Sequence, residues 1–261
     1  MRRRHCLGLA AATLLMPAAR AEVIDLNDAI NKAGRQRMLS LRTAKAYCAL
    51  GLQAAVAAAT EVQAQSVALF DRQLFELKAF APRPEIRATY QRVDTAWSAY
   101  KTLLVGRRPD RALGGQVLEQ ATRLAALAHQ GTGQLEKSLA HPVGRLVNIA
   151  GRQRLLGQRI AAYTLGAAWG VVDDNAVAEI NKARVDFGSA QQLLRAAPEN
   201  TAGLRTLLEQ AQGEFAAFVA ASNKLLSGAA DAQLAAEVFN SSERILQVAE
   251  AVADHYARLP A

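Results

Sequence analysis

Cysteine is scarce: the 261 residues hold only Cys6 and Cys48, so no internal disulfide framework can hold this chain and burial of apolar surface must do so instead. Cys48 reads as a small core residue. Aromatic residues make up 5% of the chain and no Lys/Arg-rich run occurs, which argues against a nucleic-acid partner. Long uncharged apolar runs are missing too. The two most apolar stretches, around Ala46 to Ala59 and Leu165 to Val172, are interrupted or bounded by Lys45, Gln53, Arg159 and Asp173. They read as core helices rather than membrane spans, which need about twenty apolar residues. None of His129, His141 and His255 has a glutamate three residues before it, as a di-iron bundle requires, and their spacing suits no zinc site. No Gly-rich phosphate loop or Gly-x-Ser-x-Gly elbow occurs. The expectation is a protein that is not an enzyme, with no metal and no cofactor, whose histidines are surface or core residues.

The first twenty-one residues have the layout of a removable export signal. A basic start, Met1-Arg-Arg-Arg-His-Cys, precedes an apolar run from Leu7 to Met16, then Pro17 and the small-x-small site Ala19-Arg20-Ala21. Cleavage is expected after Ala21, giving a periplasmic protein. Arg3-Arg4-His5-Cys6-Leu7 also fits a loose twin-arginine pattern, so either the general secretory or the twin-arginine route is open. The whole chain has 31 basic against 23 acidic residues, and loss of Arg2, Arg3, Arg4 and Arg20 leaves 27 against 23. An excess of +4 is compatible with small anions as ligands.

An internal repeat organises the remainder. Asn31-Lys-Ala-Gly-Arg-Gln-Arg-Met-Leu-Ser-Leu-Arg42 returns 117 residues later as Asn148-Ile-Ala-Gly-Arg-Gln-Arg-Leu-Leu-Gly-Gln-Arg159, with eight of twelve positions identical. Phe70 faces Phe187 at the same offset, Pro82 faces Pro198, Trp97 and Tyr100 face Phe215 and Phe218, and Arg123 faces Arg244. Residues 22–140 and 141–261 are thus two related halves. Each half reads as four helices between breakers: Asp25 or Asn27 caps the first, Thr60 with Gln63 resembles a capping box, Pro84 suits a first turn, and Asp110 opens a fourth helix. In the second half, His141-Pro142, Asp173-Asp174-Asn175, Pro198-Glu199-Asn200 and Ser227-Gly228 punctuate the same plan. The fold class expected is all-α, two tandem four-helix bundles related by internal duplication. End-to-end stacking of the bundles is preferred over side-by-side packing, because His141-Pro142 can join two nearly continuous helices.

On a helical wheel Ile30, Gly34, Arg37, Leu41 and Cys48 fall on one stripe, repeated by Val147, Gly151, Arg154, Gln158 and Leu165. A second face carries Asn31, Arg35 and Arg42, and correspondingly Asn148, Arg152 and Arg159. A guanidinium amid small and apolar neighbours needs an anion opposite it, either a carboxylate or a ligand. Glu61, Asp71, Glu76, Asp94 and Glu119 are candidate carboxylates.

The segment Asn31-x-Ala33-Gly34-Arg35-Gln36-Arg37-Met38-Leu39-Ser40-x-Arg42 resembles the signature of the N-terminal domain of PilJ type IV pilus chemotransducers, related to the periplasmic domain of the nitrate/nitrite sensors NarX and NarQ. Leu41 replaces the glutamine usual in that pattern, which Gln158 restores in the second copy, where Leu155 and Gly157 replace methionine and serine. The resemblance implies a sensor-type domain in which Arg37 and Arg154 bind a small anion such as nitrate or nitrite. Gly34 and Gly151 would allow close approach of a backbone or ligand. In the resembled sensors the second arginine comes from a symmetry mate, so a homodimer is expected if the bundles stack; if they lie side by side, Arg37 and Arg154 can face each other across an internal pseudo-twofold axis and a monomer suffices. Those relatives continue into a transmembrane helix and a signalling module. This sequence runs to Ala261 without either, so its output is expected to pass to a separate membrane sensor or envelope protein. The alternative is an interaction scaffold for a pilus, transducer or other envelope component, with no small ligand.

Overall fold

The computed structural model describes residues 22–138, 142–172, 175–228 and 231–259; the expected export signal, His141 and the Asp173-Asp174 pair lie outside them. The described residues form eight helices and no strand: α1 (Leu26–Gly51), α2 (Val56–Phe80), α3 (Pro84–Leu104), α4 (Arg111–Glu136), α5 (Pro142–Trp169), α6 (Ala176–Arg195), α7 (Ala202–Ser227) and α8 (Ala232–Ala257). Local chemistry places most of the starts. The Asp25 side chain accepts from Asp28 N, that of Asp110 from Ala112 N, that of Thr201 from Leu204 N and that of Asp231 from Gln233 N and Leu234 N, each satisfying amides that a helix leaves unpaired. Pro84 opens α3, where its missing N–H costs nothing.

The expected capping box at Thr60 and Gln63 is not used. Helix α2 begins earlier, at Val56, after a tight turn in which Gln53 and Ala55 both take positive φ. The turn is closed by Ala54 N donating to Ala49 O at 2.9 Å. Thr60 is already inside the helix, its hydroxyl donating to Val56 O.

Helices α1 to α4 form one bundle and α5 to α8 a second. The two do not stack end to end. Helices α1 and α5 lie against each other over much of their length, parallel, with Trp169 at the end of α5 against Tyr47 and Gly51 at the end of α1, and each also packs on α4 and α8. A single apolar core therefore runs through both halves, from Phe70, Trp97 and Tyr100 on one side to Phe187, Phe218 and Tyr256 on the other. The preference for stacking fails because α1 and α5 carry their small residues inward. A Cβ built on Gly34 would lie 3.7 Å from the Gly151 Cα, and the reverse distance is the same, so the backbones cross almost in contact and bury two alanine-rich faces.

The two halves share matched contacts. The Gln36 amide donates to Phe70 O and the Gln153 amide to Phe187 O, anchoring α2 on α1 and α6 on α5. Phe70 stacks on Trp97 with centroids 4.0 Å apart, and Phe187 stacks on Phe215 at 3.7 Å.

The glycine crossing is testable. Gly34→Val places methyl groups where the two guanidinium tips lie, 3.0 and 3.1 Å from a Cβ, and should destabilise the fold by about 1–3 kcal/mol in urea unfolding. Gly133→Ala, with no atom within 4 Å of the new Cβ, should be neutral or stabilise by up to about 1 kcal/mol.

Candidate functional site

The α1–α5 crossing brings the two stripe arginines together. Arg37 is 0% exposed and Arg154 1% exposed, and the Nη2 atoms of both reach the Gly34–Gly151 contact. Their backbone bonds are reciprocal. Arg37 Nη2 donates to Asn148 O at 3.3 Å, and Arg154 Nη2 donates to Asn31 O at 3.1 Å. The second arginine that the resemblance assigns to a symmetry mate is here supplied by the same chain, so no second copy is needed to bring two guanidinium forks to one place.

Beyond that reciprocity the two arginines differ. Arg154 Nη1 pairs with Glu250 Oε2 at 3.0 Å. Among the described residues, Arg37 Nη1 meets only neutral groups: Asn148 Oδ1 at 2.8 Å and His129 Nδ1 at 3.1 Å. The Asn148 amide in turn donates to Glu136, so the nearest carboxylate reaches Arg37 only through an amide. The Nε of both arginines is buried and unpartnered. Burial, followed by the charge of Arg154, pushes the Arg37 guanidinium down to about 9, still charged at neutral pH. Burial also lowers Arg154, but Glu250 opposes it. Burial and the charges of Arg37, Arg152 and Arg159 hold His129 below its ordinary value.

The supporting arginines are ion-paired, but not with the carboxylates expected from sequence. Arg35 binds Glu250 at 2.6 Å and Asp254 at 3.2 Å, and Arg42 binds Glu243. Lys45, fully buried, reaches Glu243 at 2.5 Å and the Ser242 hydroxyl at 2.9 Å. All these acids lie on α8, in the other half of the chain. Asn31 also reaches α8, donating to Asp254 at 2.7 Å. Arg152 and Arg159 turn instead to α6, pairing with Asp186 at 2.8 Å and Glu179 at 3.8 Å. Glu61, Asp71, Glu76, Asp94 and Glu119 bond elsewhere: Asp71 to Lys101 and Trp97, Glu76 to Lys32, Asp94 to Lys78, Glu119 to Arg123 and Glu61 to Gln65. Reading acids within the same bundle missed the α1–α8 contact, which exists only because the halves lie side by side. His129, read from sequence as an ordinary surface or core residue, proves to contact Arg37. The repeat spacing alone, which sets it opposite Glu250, was the available signal.

Burial pushes the Glu243 and Glu250 carboxyls up, yet Lys45 with Arg42, and Arg154 with Arg35, outweigh it and hold both at about 2. Because these folded values lie below the ordinary carboxyl range, their stabilisation is complete above about pH 5 and is lost as pH falls toward 2. Each should contribute about 3 kcal/mol. Urea unfolding between pH 6 and pH 3 should show stability falling with acid, and Glu243→Gln with Glu250→Gln should flatten that slope.

Residues 25–133 match the family model described as PilJ: Type IV pili methyl-accepting chemotaxis transducer N-term. No curated protein matches the chain, and no solved structure does. Among the described residues no helix is long and apolar enough to cross a membrane.

Proposed function

From the match of residues 25–133 to the PilJ-type transducer N-terminal family model, we propose that the chain is a non-catalytic sensor protein that binds a small oxyanion, nitrate or nitrite in class, at the Arg37–Arg154 pair. One observation supports this reading above others: Arg37 is a fully buried guanidinium with no carboxylate partner among the described residues, set beside a second buried guanidinium. A buried cation without a counter-anion costs several kcal/mol, roughly, and a bound oxyanion removes that cost. Two planar forks meeting at one crossing suit a planar ligand with three oxygens. On this reading the chain is exported, its leader is cleaved after Ala21, it works in the periplasm, and it reports to a separate membrane sensor or envelope protein. A monomer suffices, since both forks come from one chain.

A second reading rests on a different observation. The reciprocal bonds from Arg37 and Arg154 to the opposite backbone carbonyls clamp α1 to α5, and in a ligand-free interaction scaffold that clamping would be their whole role.

Calorimetric titration of residues 22–261 with nitrate and nitrite separates the two, combined with sedimentation at saturating anion. Binding by a monomer, lost in an Arg37→Ala/Arg154→Ala double variant that keeps its helical spectrum, is the expected result. No heat with either anion, or binding unchanged in the folded double variant, refutes the anion reading and leaves the scaffold.

A further inference from the structure

The two arginine sites are built on one plan with a single substitution of chemistry between them. Helices α4 and α8 align at a spacing of 121 residues, which sets Val117 against Val238, Leu118 against Phe239, Arg123 against Arg244, and His129 against Glu250. The structure bears out the last pairing in space: His129 meets Arg37 Nη1 at 3.1 Å, just as Glu250 meets Arg154 Nη1 at 3.0 Å. On the α8 side the carboxylate also takes Arg35 from the opposite helix, at 2.6 Å. The matching residue on the α4 side is Arg152, whose charge acts on both Arg37 and His129. One arginine site therefore contains its anion as part of the chain, and the other has a histidine in that place. The spacing extends the contrast, because Glu243 and Asp254 of α8 face Thr122 and Gly133 of α4.

Access differs in the same sense. His129 is partly open to solvent while the Arg37 it contacts is fully buried, so His129 lies between Arg37 and solvent. Arg152 is about half exposed and, among the described residues, is bonded to the carboxylate of Asp186 alone, a pairing worth little in water. Both groups are free to reorient toward a ligand at small cost.

We propose that Arg37, His129 and Arg152 form a niche for one small carboxylate or planar oxyanion per chain, bound as the Glu250 carboxylate is bound between Arg154 and Arg35, and that Glu250 closes the Arg154 side to ligand. This rests on the anion-binding reading above but changes its second fork: Arg152, not Arg154, meets the ligand beside Arg37, because Arg154 is already held by Glu250 and Asn31 O. The ligand would accept from Arg37 Nη1 and from the Arg152 fork, and His129 would turn from acceptor of the Arg37 bond to protonated donor toward the anion. The charged and titratable groups around His129 are Arg37 of α1, Arg152 and Arg159 of α5, Glu136 of α4 through Asn148, Tyr90 of α3 through Arg37, and Asp186 of α6 through Arg152. Three cations in that set disfavour a charged His129 in the free protein, and a bound anion favours it. Binding therefore takes up a proton and tightens as pH falls.

The test is nitrate and acetate titration at pH 5.5 and 7.5 of the wild-type chain and of His129→Glu, His129→Gln, Arg154→Ala and Glu250→Gln. Expected are one nitrate per chain, about tenfold tighter at pH 5.5, and a His129→Gln variant that binds without the pH slope. His129→Glu should supply its own carboxylate to Arg37, weaken nitrate at least tenfold and raise the thermal midpoint, which also shows that it folds. Arg154→Ala should retain the site, and Glu250→Gln should add a second equivalent of nitrate. Wild-type binding that is lost in Arg154→Ala but unchanged in a folded His129→Glu overturns the niche while leaving the anion reading intact. Absence of nitrate and acetate binding by the wild type at both pH values overturns both.

Discussion

The structure depends on the near-contact of two backbones at Gly34 and Gly151, because that crossing decides what every other group on α1 and α5 can reach. Packing forces bring the alanine-rich faces together, and the absence of side chains at the two glycines lets the guanidinium tips of Arg37 and Arg154 occupy the space beside them. Each arginine then reaches over the crossing to a carbonyl of the opposite helix. A helix carbonyl one turn from a close crossing is a weak partner for a full charge, so the crossing leaves two buried cations to be compensated from elsewhere.

Compensation is unequal, and that inequality connects the fold to a function. Helix α8 brings three carboxylates, Glu243, Glu250 and Asp254, to the face that meets α1, where Arg35, Arg42, Lys45 and Arg154 use them. Helix α4 meets the same central pair from the other side with Thr122, His129 and Gly133 at the matching positions. Approximate twofold geometry without matching charge gives one neutralised site and one cationic site in a single chain. Under the proposed anion-binding function, that difference is what leaves one side of the crossing open to a ligand.

Much of the architecture was legible in the sequence. The repeated twelve-residue segment, the caps at Asp25 and Asp110 and the breaker prolines marked most of the helices, since these signals are local; the break between α1 and α2 was misplaced to Thr60, because the turn that makes it puts positive φ on Gln53 and Ala55 rather than on glycine. The relation between the halves was not legible, because the feature deciding it, a glycine–glycine contact between segments 117 residues apart, has no signature in either helix alone. That one error propagated to the site: with the halves stacked, Arg37 and Arg154 were far apart and the α8 carboxylates belonged to another bundle. The arginines themselves were found from their place amid small neighbours, but His129 was not, because its one mark is the repeat spacing that sets it opposite Glu250, and that mark has meaning only once Glu250 is known to hold Arg154.

The central claim is that Arg154 is neutralised within the chain and Arg37 is not, and unfolding free energies of Arg37→Met and Arg154→Met at neutral pH without added anion test it most directly. Methionine keeps much of the packing volume and removes only the charge and its donors. Arg154→Met leaves Glu250 short of a buried partner, whereas Arg37→Met removes a cation that no carboxylate holds. The account requires Arg154→Met to be more destabilising, by about 2 kcal/mol. Equal losses, or a larger loss at Arg37, would show that both arginines are compensated alike and would contradict it.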